Sequence, residues 1–412
     1  MGTTSTRAEP LATPADTAGA ATPVEPSGNP LEWDHLTGNW FGARDALAVA
    51  GIDIQASVIM DVSRNFQGGL RTDGSTFRHL FDLNVTLDLE TLIGLQGGTV
   101  FADFYNHNGP DSSAVDTGDF QAYSNIDADG RTELAELWYR QDLFDGRVGI
   151  KVGKVEANAD FAYVEHGGEF IHSSPGFSPT ILAFPSYPDP ATAVIVFTHL
   201  CDWLYANVGL FDGALQEGYL TGTRGPGTFL GKPADLFAIG EAGLLWELAG
   251  GKPGRLGVGG WGHTGTFDRF DGGTDHGTAG WYVVLDQVLT REQPEVENDE
   301  QGLAMFAQLA GSDDDVAEAD WHVGCGCRYV GLLPTRDDDI TGVMASYVHF
   351  SDPARAAGVF DEDYELAIEA FHRVQVTPWI ALKPDLQYIV NPGGDADVND
   401  AVVGTLRIEV VF

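Results

Sequence analysis

The chain has 412 residues, with 22 Lys and Arg against 61 Asp and Glu and a formal charge of −39. That excess of carboxylates excludes nucleic-acid binding by phosphate neutralisation, which depends on Lys and Arg, and 3 cysteines cannot frame a disulfide-rich fold. With 52 Gly, 23 Phe, 9 Trp and 12 Tyr, and no run approaching the ~18 apolar residues of a spanning helix, the composition points to one large all-β architecture.

Residues 1–30 are rich in Ala, Thr and Pro and have no apolar period. They cannot bury enough surface to offset the entropy of ordering, so a disordered leader or linker is expected there. A signal peptide, with its charged start and apolar core, is not present in this chain. In the N-terminal segment 31–50, Leu36, Trp40, Ala43 and Leu47 follow a 3.6-residue period. That spacing predicts a short amphipathic helix over Asn39–Ala50.

From Ile52 the period becomes two. Ile54, Ala56, Val58, Met60 and Val62 alternate with polar residues, as do Phe77, Phe81, Leu83, Val85 and Leu87 with Arg78, Asp82, Asn84, Thr86 and Asp88. Strands are predicted at 54–66, 77–90, 98–107, 131–142, 147–155, 193–199, 204–211 and 236–248. Eight more follow at 255–267, 278–289, 301–310, 320–330, 340–350, 363–375, 379–390 and 401–412. Sixteen strands is an even number, and many are near the ~9–11 residues that cross a bilayer obliquely.

The connections alternate in length. LFDG, LCDW, AGGKPG and the TPW turn are short, whereas 108–130, 157–192 and 212–235 are long. Short periplasmic turns on one rim and long extracellular loops on the other are expected of a transmembrane antiparallel β-barrel, and a soluble sandwich has no reason to sort loops by parity. The faces agree. Asp82, Asn84, Thr86 and Asp88 in one row need water, while the opposite face is aliphatic with aromatics near strand ends (Phe66, Phe77, Tyr139, Trp246, Tyr347, Tyr364), as at membrane interfaces.

Several blocks carry a resemblance. LTGNWFGARDALAVAGIDI, then RTELAELWYRQDLFDGRVGIKVGKVEANADFAYVEHGGEFIHSSPGFSPT with YPDPATAVIVF, and finally YELAIEAFHRVQVTPWIALKPDLQYIVNPGG with LRIEVVF resemble the carbohydrate-selective porin family (OprB-type) of Gram-negative outer membranes. The resemblance spans Leu31 to Phe412. It implies one barrel domain, 31–412, that passes mono- or oligosaccharides passively into the periplasm. It also implies that Phe412 is the signal read by the barrel-assembly machinery. The strong acidity departs from the pattern, and the leader is too short for a peptidoglycan-binding domain.

Sugar selection needs hydrogen-bonding groups and aromatic planes at a narrowing. The path is expected to run past Asp82, Asn84, Asp103, Tyr105, Glu136, Trp138, Arg140 and Lys151. Ala135, Leu137, Tyr139, Val148, Ile150 and Val152 should then face lipid, and Arg140 with Lys151 should oppose Asp82, Asp103 and Glu136 across the pore. The loop 157–192 exceeds the ~12–15 residues of an ordinary connection and is apolar and rich in Gly and Pro. It is expected to fold inward as a constriction, bringing Glu165, Phe170 and His172 near the path; the rival reading is an outward cap.

Cys325 and Cys327 share a strand face with Trp321, Val323 and Tyr329, and read as small apolar wall residues rather than a disulfide or a metal site. His166 and His172 lack a third ligand. Acidic runs at 313–315, 337–339 and 361–363 read as solvated loops, although Ca²⁺ could bridge some; no cofactor is expected. No nucleophile elbow, phosphate loop or His-Glu-x-x-His occurs. Two alternatives stay open, a general or cation-preferring porin and an outer-membrane barrel hydrolase, and the sequence does not distinguish a monomer from a trimer.

Overall fold

A computed structural model describes residues 28–110, 112–221, 227, 233–294, 296 and 300–412, so most of the expected leader lies outside the described residues. All sixteen strands form. They are β1 Ile52–Gln67, β2 Thr76–Asp88, β3 Gly98–Asn108, β4 Arg131–Leu143, β5 Val148–Val155, β6 Ala191–Cys201, β7 Leu204–Asp212 and β8 Leu236–Leu248. The second half is β9 Lys252–Asp268, β10 Thr274–Val288, β11 Gly302–Ser312, β12 Ala319–Val330, β13 Ile340–Phe350, β14 Tyr364–Thr377, β15 Ile380–Val390 and β16 Ala401–Val411. Each pairs antiparallel with its sequence neighbours, and β1 pairs with β16 from Ser57 opposite Val411 to Gln67 opposite Val402. Closure leaves no sheet edge, so the wall satisfies its own N–H and C=O groups where water is absent.

Alternation sends opposite chemistry to the two faces. Outward, Val62, Phe77, Phe104, Leu137, Val152, Val208, Trp281, Val343 and Leu406 stay exposed; inward, Asp61, Arg78, Glu136, Glu241, Glu369, Lys383 and Arg407 are buried. A water-soluble globule has the reverse arrangement. Cys325 is exposed on the outer wall, and Cys327 is partly so; both are free thiols. No helix among the described residues is long and apolar enough to cross a membrane, and the strands carry the apolar surface instead.

The first described residues and the C-terminus meet at one rim, where Leu36 N donates to Val411 O at 2.9 Å and the backbone N–H of Phe412 donates to Ala56 O at 2.8 Å. The N-terminal helix α1 spans only Ala43–Val49, after a 3-10 turn over Trp40–Gly42. It is shorter than its periodicity predicts because Phe41 and Gly42 take left-handed φ values of +59° and +89°, and none of its residues is buried. It closes the seam by hydrogen bonding. Arg44 donates to Ile54 O at 3.0 Å and Phe412 O at 2.8 Å, with its guanidinium 4.2 Å from the Trp40 ring centroid.

Loop lengths sort by rim with exceptions. On the rim bearing the ends lie the tight turns 144–147, 202–203, 249–251 and 378–379, but also the longer 289–301. The other rim carries 109–130, 156–190 and 213–235, yet its 269–273 and 313–318 are short. One strand face also differs from expectation. Asp103 faces Glu136 and Phe104 faces Leu134, so Ala135 is the extra residue of a β-bulge. The bulge turns Ala135 inward, fully buried against Tyr105 and Tyr187, instead of toward lipid.

Candidate functional site: the lumen and its inward loops

The segment 157–192 lies across the barrel interior, fastened to wall carboxylates through its backbone. Glu136 accepts from Glu156 N (2.9 Å), Glu241 from Ala162 N (3.1 Å) and Asp286 from His166 N (3.1 Å). Glu369 accepts from Ile171 N (2.7 Å) and His172 N (3.0 Å). Each bond satisfies a backbone N–H that the inward course of the loop takes away from water. Apolar contacts add to them, because Phe161, Val164, Ile181 and Phe184 join Phe211, Phe237 and Trp261 in one buried cluster. Phe170 sits edge-on to Phe306 and Phe371, with ring centroids at 5.6 and 5.0 Å. Gly342 makes room there, since a Cβ would strike Phe371 and crowd Phe170.

A second loop, 109–130, also turns inward, which its Asp-, Ser- and Gly-rich composition did not suggest. Phe120 N and Gln121 N donate to Glu365 at 2.7 and 3.0 Å, and Ser124 Oγ donates to Asp61 at 2.9 Å. The two loops touch. Asn125 N donates to Ile171 O at 2.7 Å and Ser173 N to Ala122 O at 3.1 Å. The available signal was the apolar trio Phe120, Tyr123 and Ile126, too costly to leave in water on an external loop.

The sequence-derived path residues divide by depth. On the β2–β5 wall Asp82, Asp103, Glu136 and Lys151 are inward but buried, and Tyr105 is buried against Tyr187. Asn84, Trp138 and Arg140 are only partly buried, and Glu165 is exposed. Phe170, 1% exposed, anchors the loop and offers no surface to a passing solute. His172 is likewise buried.

Trp138 stacks on Phe101 with centroids 5.0 Å apart. Lys151 Nζ lies 4.6 Å from the Trp138 ring, and Arg140 lies 4.7 Å from the Phe197 ring. Lys151 pairs with Asp160 at 2.7 Å and Arg140 with Asp142 at 3.0 Å. The cations therefore do not oppose Asp82, Asp103 and Glu136. All five sit side by side on adjoining strands, because β2 to β5 are consecutive in the barrel.

Residues the sequence reading missed line the β14–β16 and β1 wall. Arg407 grips Asp61 at 2.8 and 2.9 Å. Lys383 reaches Glu169 and Glu409, both at 3.1 Å, and Arg373 reaches Glu409 at 2.7 Å. Burial alone would raise the Glu169 carboxyl, but Lys383, with Arg373 and Arg328, holds it below the usual carboxylate range. Burial pushes the His172 imidazole down to about 3. For His166, burial and then the Arg328 charge bring it to about 4.

Ser178, His322 and Ser346 form a chain at 3.1 and 2.9 Å. No carboxylate orients that imidazole; the chain ties the loop to β12 and β13. The lumen thus offers hydrogen bonds, fixed charges and aromatic faces to a solute.

The family model described as carbohydrate-selective porin, OprB family, matches residues 72–412. Porin B of Pseudomonas aeruginosa is 26% identical over 428 aligned residues, covering 92% of this chain and 91% of its own. The high-pH structure of Pseudomonas putida OprB superposes with a TM-score of 0.81 at 22% identity, over 92% of this chain and 99% of that one. The low-pH structure of the same protein gives 0.61 at 19% identity, over 92% and 99%. Those two likenesses are of fold. With an apolar outer wall, a polar interior and a family match running from the loop after β1 to the last residue, the chain belongs to the carbohydrate-selective porin family.

Proposed function

We infer that this protein lets sugars diffuse through the Gram-negative outer membrane at a weak site on the β2–β5 wall. The supporting observation is the Phe101–Trp138 stack, beside the partly buried Asn84 and Arg140. A pyranose has an apolar ring face and an equatorial belt of hydroxyls, so a stacked indole and adjoining polar side chains suit it. Buried Asp82, Asp103 and Glu136 stand behind this surface. Weak binding lets the sugar leave again, and no cofactor or energy source is needed. Loop 157–192 is the constriction that presses solutes toward this wall. In this orientation the rim bearing both chain ends faces the periplasm and the long loops face outward.

Swelling of liposomes in a graded series of sugars is the direct test. Rates should exceed those of size-matched polyols and lose that advantage in Trp138→Ala; equal rates for both solute classes would defeat the selective reading. A cation preference beside sugar passage is favoured by the charge of −39, and a reversal potential in a salt gradient measures it.

We also read Phe412 as the assembly signal, with barrel-assembly machinery and membrane lipid as partners. Its ring sits 6.2 Å from that of Phe81. Deleting it should lower outer-membrane levels while the purified chain still refolds in detergent.

A further inference from the structure

On the outer wall, β12 to β15 dip into a groove of about 600 Å³ that is continuous with the lipid-facing surface. Register places Cys327, Val343, Ala370 and Leu386 side by side across those four strands. The row is apolar, and its small members, Cys327 and Ala370, make the hollow beside the exposed Val343 and Leu386. One step nearer the rim that bears the C-terminus, a second row runs from Tyr329 through Thr341 to His372. That row is polar. Thr341 Oγ1 and His372 Nδ1 lie 2.8 Å apart, and the Tyr329 hydroxyl donates to Glu292 at 2.9 Å.

Pro384 also lines the groove. It brings no N–H to β14, and pairing with β14 is interrupted there, between Phe371 opposite Asp385 and Val374 opposite Leu382. Proline is rare inside a sheet for this reason, and a wall in lipid has no water to stand in for the missing donor. A resident amphiphile would shield the break.

The mouth of the groove is acidic. The turn 331–339 carries Asp337, Asp338 and Asp339 against one cation, Arg336, which donates to Asp339 at 2.8 and 2.7 Å. Glu292 adds a further carboxylate beside Tyr329. A second copy of the chain, with its charge of −39 and the same acids, is repelled from this mouth, as is an anionic head group. A primary ammonium has three donors and no acceptor, so it suits carboxylates at the end of an apolar trough.

We propose that this groove holds one phospholipid, with a tail along the Cys327–Leu386 row and a primary ammonium head group against Glu292. The proposal rests on the lipid-facing wall and is independent of the sugar site.

Native mass spectrometry of the detergent-released protein tests it, with phosphatidylethanolamine, phosphatidylcholine and phosphatidylglycerol of matched tails as probes. One phosphatidylethanolamine per barrel should survive release, held about tenfold more tightly than the other two, as one charge-assisted hydrogen bond allows. Phosphatidylcholine has the same positive charge without an N–H, so it separates hydrogen bonding from simple attraction. Glu292→Gln, on a rim turn outside the sheet, should level the three lipids. Ala370→Trp fills the hollow and should release them all. Phosphatidylcholine or phosphatidylglycerol matching phosphatidylethanolamine on the unaltered protein overturns the head-group assignment, as does a preference that survives Glu292→Gln. Undiminished retention by Ala370→Trp overturns the location. A barrel released without lipid, or as a lipid-free oligomer, overturns the site itself.

Discussion

At the scale of single residues, the proposed sugar site turns on Trp138. It stacks on Phe101 and has the Lys151 ammonium 4.6 Å from its ring, so its indole is held in place. Losing an aromatic contact of about 1 kcal/mol should raise the glucose concentration for half-block about fivefold in Trp138→Ala. Open-channel conductance without sugar should stay the same or rise slightly. His172 carries a different prediction. Its Nδ1 accepts from Ser174 N at 3.2 Å, which demands the neutral ring, and burial holds it neutral down to about pH 3. A histidine depressed by folding binds its proton more readily once the loop is released. Anchoring is therefore at full strength above the free value of about 6.5 and weakens progressively as pH falls below it. Glu169, also depressed, adds to this in the same direction only once pH drops under about 4.5. Conductance should be flat from pH 8 to 6.5 and increase toward pH 4, and the upper part of that rise should shrink in His172→Asn and shrink further when His166, also held down by burial, is replaced as well. Alternation told which side Asn84 and Trp138 face, and the length and composition of 157–192 brought Phe170 inward, but neither carries information on depth. Phe170 lies under the loop because of Phe306 and Phe371, which come from strands far along the chain.

At the scale of elements, backbone N–H groups seated on wall carboxylates hold both inward loops. Glu369→Gln leaves one acceptor oxygen where two backbone N–H groups each have their own, and the bond lost costs roughly 0.5–1.5 kcal/mol. The outcome expected is flickering current and faster proteolysis within 167–178, with strand pairing untouched as judged by heat-modifiable gel migration. Deleting Gly167–Ser178 should go further, raising single-channel conductance and eroding the preference for sugars. Unchanged conductance in that deletion would show that the loop does not set the narrowing. The sixteen strands were legible because alternating chemistry is imposed on each strand by its own lipid face. The inward turn of 109–130 was not, since Glu365 and Asp61, which receive it, lie far away in sequence. The Ala135 bulge was hidden for a related reason: only the Asp103 and Phe104 partners on β3 reveal that β4 holds one residue too many.

At the scale of the whole molecule, the wall should resist heat and detergent as a unit because its hydrogen bonds form one closed ladder, whereas the interior depends on charge pairing. The acidic total should make small cations more permeant than chloride, most clearly at low salt, since free charges are screened within about 10 Å at 0.1 M. A zero-current potential that is independent of ionic strength would place those charges away from the path. The seam between β1 and β16, with Arg44 bridging Ile54 O and Phe412 O, has a topological corollary. A cylinder whose first and last staves are neighbours has no privileged starting point. Splicing the two ends with a short flexible tether and reopening the backbone at Asp202–Trp203 should yield a circular permutant with the same girth and the same conduction.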